Sequence, residues 1–147
     1  MLSAVLSLLA LITTVHAELG GTTAAATATS AAPGTGPLSL LNGAVRVRTS
    51  VDAGGTTINE YASTSGQIFA YTWQGPTMPD LQSLLGADDA SYRAGAAVHL
   101  ATGRDLHASR VAQPDVVVES GGPIRSYVGR AWLPGALPVG VPPDDLH

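Results

Sequence analysis

The chain has 147 residues, eleven acids against seven bases, a net charge of −4 and no cysteine. That length suggests one domain. The missing cysteines exclude a disulfide framework and a lipid-anchored cysteine, and the acidic balance lacks the basic footprint of a nucleic-acid binder. All seven bases are arginine, which in an Ala- and Gly-rich chain points to biased composition rather than to seven guanidinium sites.

The chain opens on an apolar run from Leu2 to Val15, broken only by Ser and Thr. It closes on Val15-His16-Ala17, a small-x-small site of the kind signal peptidase cuts. The run is too short for a stable membrane span, and the usual basic residues before it are missing. The expectation is a signal peptide over 1–17, a mature chain starting at Glu18 with no membrane span, and a periplasmic or secreted location. Gly20 to Pro37 contains only Gly, Thr, Ala, Ser and Pro. Such a stretch lacks the apolar area to offset its ordering entropy, so residues 18–39 read as a flexible lead and 40–147 as the globular domain.

Within that domain, Val45, Val47, Thr49 and Val51 alternate with Arg46, Arg48 and Ser50, a strand of period two. Asp52-Ala53-Gly54-Gly55 is a turn, and Thr56 to Ala62 returns as a second strand. A second turn at Ser63 to Gly66 leads to a third strand, Gln67 to Gln74. Gly75-Pro76 ends this meander. Thr77 reads as the cap of a helix with Pro79 in its first turn. Leu81, Leu84 and Leu85 share the face that would dock on the sheet. Gly86 weakens that helix, which an Ala-rich stretch over 87–100 continues. Thr102 to Gln113 reads as polar and irregular. Asp115 to Ser120 and Ile124 to Leu133 form a hairpin around Gly121-Gly122, and a Pro-rich tail runs extended along the surface. The fold class is therefore α+β, a mostly antiparallel five-stranded sheet with one helix, continuous or broken at Gly86, between strands three and four. The alternative is a mostly-β domain with a disordered 87–113 segment. Gly66-x-Ile68-x-x-Tyr71 and Gly122-x-Ile124-x-x-Tyr127 form a faint internal repeat that two similar hairpins explain equally well.

Two blocks carry a resemblance. One is Trp73-Gln74-Gly75-Pro76-Thr77-Met78-Pro79-Asp80-Leu81, with Gly66 to Thr72 before it and Leu84-Leu85-Gly86 after it. The other is Val117 to Gly122 with Arg125 and Gly129-Arg130-Ala131-Trp132-Leu133-Pro134. Together they resemble a family of short exported proteobacterial proteins that carries only a domain-of-unknown-function label. The resemblance implies export and a shared fold, and brings no activity or cofactor with it. The chain departs from the pattern after Gly86, where Ala87-Asp88-Asp89-Ala90 replaces an aromatic helical segment.

Candidate chemistry is sparse. His99 and His107 do not have the spacing of a helical metal pair. Asp105, His107 and Ser109 are triad residue types without a fixed geometry. Asp88-Asp89 and Asp144-Asp145 lack the ligand spacing of a calcium loop, and nothing places Asp80 with Glu60. No catalytic residue, metal ligand or cofactor is assigned. The candidate binding face is Phe69, Tyr71 and Trp73, which alternate on the third strand opposite Ile68, Ala70 and Thr72, together with Trp132, Arg125 and Arg130. The aromatics serve either as core or as a stacking platform. Arg46 and Arg48 would join Arg125 and Arg130 in an anion site only if the first and last strands met. The functional expectation is an exported non-enzymatic protein that binds a partner protein or an envelope component. Alternatives are a small envelope-polymer hydrolase and an assembly factor for a secreted machine.

Overall fold

A computed structural model describes residues 17–23, 38–40, 43–103 and 108–147. The apolar run, most of the Ala/Thr-rich lead, and Asp105 with His107 lie outside those residues. Among the described residues, seven strands form one antiparallel sheet in the order β1-β2-β3-β4-β7-β6-β5. The strands are β1 (Leu38–Leu40), β2 (Val45–Val51), β3 (Thr57–Ser63), β4 (Ile68–Gly75), β5 (Ala108–Ala112), β6 (Val117–Gly121) and β7 (Tyr127–Trp132). The five expected strands are all present. The sheet adds β1, a three-residue strip on the edge of β2, and β5, in a stretch the sequence marks as irregular. Only Val111 of β5 is buried, so its alternation is too faint to read along the chain.

The helical segment follows β4 and is broken where expected. Helix α1 (Leu81–Leu85) ends at Gly86, whose φ of +55° suits glycine. A 3₁₀ turn over Gly86–Asp88 leads into α2 (Asp89–Ala101), which overturns the alternative of a disordered 87–113. The cap differs from expectation. Asp80, not Thr77, accepts from Ser83 N–H, and its carboxylate also takes the Ser83 hydroxyl at 2.7 Å. Those two bonds hold the Asp80 carboxyl below its ordinary range. Thr77 instead closes the turn behind it, pairing through its hydroxyl and its carbonyl with the fully buried Thr56. Gly75 lies against the same residue. A Cβ there would come within 2.4 Å of Thr56 Cα, so the Gly-Pro turn tolerates no side chain.

The aromatic strand does not simply alternate. Tyr61 pairs with Ala70 while Ala62 pairs with Ile68, so Phe69 is the extra residue of a β-bulge. The bulge sends Ile68, Tyr71 and Trp73 to the helix side, where they pack with Leu84, Leu85, Val116 and Val118. It sends Phe69, Ala70 and Thr72 to the other side. Phe69 and Ala70 pack there with Val45, Val47, Tyr61 and Trp132. The expected row of Phe69, Tyr71 and Trp73 is thus split between two cores. Trp73 sits opposite Gly129, where a Cβ would strike the indole at 2.3 Å; the missing side chain is filled by the ring.

Residues 19–23 and the Pro-rich tail finish the cores. Leu19 is buried, donates its N–H to Leu84 O at 2.8 Å, and is followed by Gly20 N–H on Ile68 O at 2.9 Å. Thr22 bridges Gln67. Residues 19–23 therefore belong to the domain, where composition alone places them in the lead. On the opposite side, Val141 and Leu146 of the Pro-rich tail cover Tyr61 and Phe69, and Tyr61 Oη donates to His147 O at 2.6 Å.

Candidate functional site

The tail covers only part of its face. Beside it lies a groove of about 670 Å³ on the sheet. Strand register explains its floor. Thr57 and Asn59 of β3, Thr72 and Gln74 of β4, Val128 and Arg130 of β7, Glu119 of β6 and Arg110 of β5 are the outward-facing positions on that side. Leu146 and His147 form one wall, and Ala108 and Ser109 of the outermost strand border the other end.

Two polar arrays order this floor. Thr49 Oγ1 donates to Asn59 Oδ1 at 2.7 Å, and Asn59 Nδ2 lies 3.2 Å from Thr72 Oγ1. An amide nitrogen has two protons, so Asn59 keeps one to offer a ligand. Across the groove, Glu119 accepts from Arg110 at 2.7 Å and from Arg130 at 2.6 Å. Arg130 also reaches Pro143 O at 2.6 Å and Asp144 at 3.1 Å, which straps the tail to the sheet. Both guanidinium groups lie over the Trp132 ring, at 5.9 and 5.4 Å from its centroid. Partial burial of Arg130 works against its charge, but the bonds to Glu119 and Asp144 outweigh this and hold its pKa above the ordinary value. The array supplies fixed donors and acceptors rather than a proton-transfer pair, because both Glu119 oxygens already accept from arginine.

Of the six residues read as a binding face, Trp73 and Arg130 border the groove. Phe69, Tyr71, Trp73 and Trp132 are all buried, Trp132 directly beneath Arg130. Arg125 is exposed in the β6–β7 turn with φ +67°. Arg46 and Arg48 project to the helix side of β2, which β3 and β4 separate from β7, so the four arginines do not form one anion site. Asp115 bonds the Ser91 hydroxyl at 2.6 Å, and Asp89 pairs with Arg93 at 2.7 Å. Among the described residues, no group of three metal-ligating side chains lies close enough to hold an ion, and no helix is long and apolar enough to cross a membrane. The residues that sequence reading missed are Thr57, Asn59, Thr72, Gln74 and Glu119. Their signal was available as polar side chains at alternate positions of β3 and β4, with Glu119 on β6.

The family comparison spans both the buried amino-terminal segment and the groove. Residues 15–146 match the family described as "Protein of unknown function (DUF2844)". The chain belongs to the DUF2844 family. No curated protein and no solved structure matches it. The DUF2844 match takes in the Gly75-Pro76 turn, the tail strapped by Arg130, and every residue that lines the groove except His147.

Proposed function

We propose that this DUF2844 protein is exported and acts as a non-enzymatic binding module, its groove taking an extended peptide segment of a partner protein in the cell envelope. The observation that carries the reading is where the groove opens. It runs out at β5, which among the described residues pairs only with β6. The outer backbone groups of β5 can hydrogen-bond an added strand, while the groove takes its side chains. The neutral donors and acceptors of Thr57, Asn59 and Gln74, with Val128 and Leu146 as apolar walls, suit an uncharged peptide. Export is supported by the apolar run that ends at the small-x-small site Val15-His16-Ala17. The test is selection from a random extended-peptide library on the mature chain, with immobilised peptidoglycan fragments as the competing ligand. Selected peptides should bind the native chain and lose at least tenfold in affinity on Val128→Trp, which fills the groove from an exposed position. Equal binding to Val128→Trp, or capture of glycan alone, would overturn the peptide reading.

A further inference from the structure

Tyr71 has one phenolic proton and faces two acceptors. Its hydroxyl is hydrogen-bonded to Ala17 O and lies 3.2 Å from Glu60 Oε2. A phenol donates only once, so in the uncleaved chain these two oxygens compete. Burial first, and then the Glu60 carboxylate, push the Tyr71 pKa up, so the group stays a neutral donor. The chain just beyond Glu18 is fixed in place, because Leu19 is buried and bonded through its N–H to Leu84 O. The Glu18 nitrogen shares a peptide unit with Ala17 O. It therefore lies about 2.3 Å from that oxygen and within about 5 Å of the Tyr71 hydroxyl.

Carboxylates gather around this point. Glu60 comes from β3, Asp88 from the 3₁₀ turn, and the Glu18 carboxylate lies over Gly86. Among the described residues, Arg48 lies directly across from Glu60 on β2 and works against the push on Tyr71. Burial, Asp115 and Glu18 together raise the Asp88 pKa, which is the mark of an acid-rich corner.

We propose that Tyr71 and Glu60 form a docking site for the α-ammonium of Glu18, created when the Ala17–Glu18 peptide bond is cut. This rests on the export reading above. Cleavage consumes one water; the carbonyl leaves as the carboxylate of Ala17, and Glu18 keeps the nitrogen as an ammonium. An acceptor that competed with Glu60 is replaced by a cation with three donors. The Tyr71 proton is then free for Glu60, and the ammonium adds a positive charge among these carboxylates. Processing thus completes the fold, and the precursor is the less stable form.

Three chains test this: Glu18–His147 released from a fusion that leaves no extra residue, the same chain acetylated at its amino terminus, and the chain retaining Ala17. The free-amine chain should melt about 3–6 °C above the other two, the shift that one strong contact gives a domain of this size. That advantage should fall below about 1 °C in Glu60→Gln and in Tyr71→Phe. Equal melting temperatures, or an advantage that survives both substitutions, would overturn the proposal. Amino-terminal sequencing of protein recovered from the envelope separates the two readings. A start other than Glu18 sinks the export site, while the melting comparison still decides whether the pocket prefers an ammonium.

Discussion

The helix side and the tail side of the sheet both bury apolar clusters, yet they are closed by different means. On the helix side, α1, α2 and residues 19–23 lay side chains such as Leu84, Leu85 and Leu19 over Ile68 and Trp73. On the tail side, the buried Val141 and Leu146, with the partly buried Ala136 and Leu137, close the cluster of Tyr61 and Phe69, and Arg130 straps the tail by holding Pro143 and Asp144. Hydrophobic burial is non-directional and fills a face completely, whereas an ion-paired strap fixes one position and leaves space beside it. The groove is that space. A strand whose two sides are equally apolar therefore does not say which side will be core and which will be site; the covering segment decides.

Substitutions at four positions probe this contrast, from the largest expected effect to the smallest. Trp73→Ala removes a ring packed over Gly129 and should cost about 3–5 kcal/mol, read by denaturant unfolding. If it costs under about 1 kcal/mol, the helix side is not the tighter of the two. Leu146→Ala should cost about 2 kcal/mol, the lower end for such a truncation, because the tail can relax. Its Trp132 fluorescence, isolated in a Trp73→Phe background, should shift to the red. Asp80→Ala removes the cap of α1 and should cost about 1 kcal/mol. The pH dependence has a definite sign. The folded Asp80 pKa is depressed by Ser83, so its contribution is present above the unfolded value of about 3.9 and is lost as pH falls through the folded value. Asp80→Asn should keep the helix capped while removing that acid-side loss. Val128→Trp, at an exposed position of the groove floor, should leave stability within about 0.5 kcal/mol. A large loss there would mean that the groove floor is packed core.

Strong periodic signals carried the legible part of the fold. The β2–β4 meander, the break at Gly86 and the β6–β7 hairpin could be read because β-branched residues, turn glycines and the leucines of α1 repeat at the right spacing. Three features could not. Phe69 is an ordinary strand residue by type, and its bulge is imposed by pairing with β3. Strand β5 has one buried side chain and is held by its partners, Val111 lying opposite Val118. Leu19 sits at the start of a polar, low-complexity stretch, so composition hid a residue that packs in the core. Thr77 shows the same limit on a small scale. Its hydroxyl can cap a helix or answer Thr56, and only the turn geometry chooses. The groove was missed for a related reason. Attention to aromatic and charged residues passed over Asn59, Thr72 and Gln74, which become a site only when β3 and β4 align.

The strand order has a kinetic consequence. Strands β1–β4 form one local meander and β5–β7 another, and among the described strands the two pair only where β4 meets β7. That seam joins residues more than fifty positions apart in sequence (Ala70 with Trp132), so it closes late and sets the folding rate. A chain emerging from its amino terminus therefore displays the bare edge of β4, with Tyr71 and Trp73 on it, until Tyr127 arrives. Unpaired strand edges of that kind recruit other strands. A fragment ending at Gly103 should aggregate, and supplying residues 108–147 in trans should rescue it. The protein's most vulnerable moment is thus the wait for its own final strand.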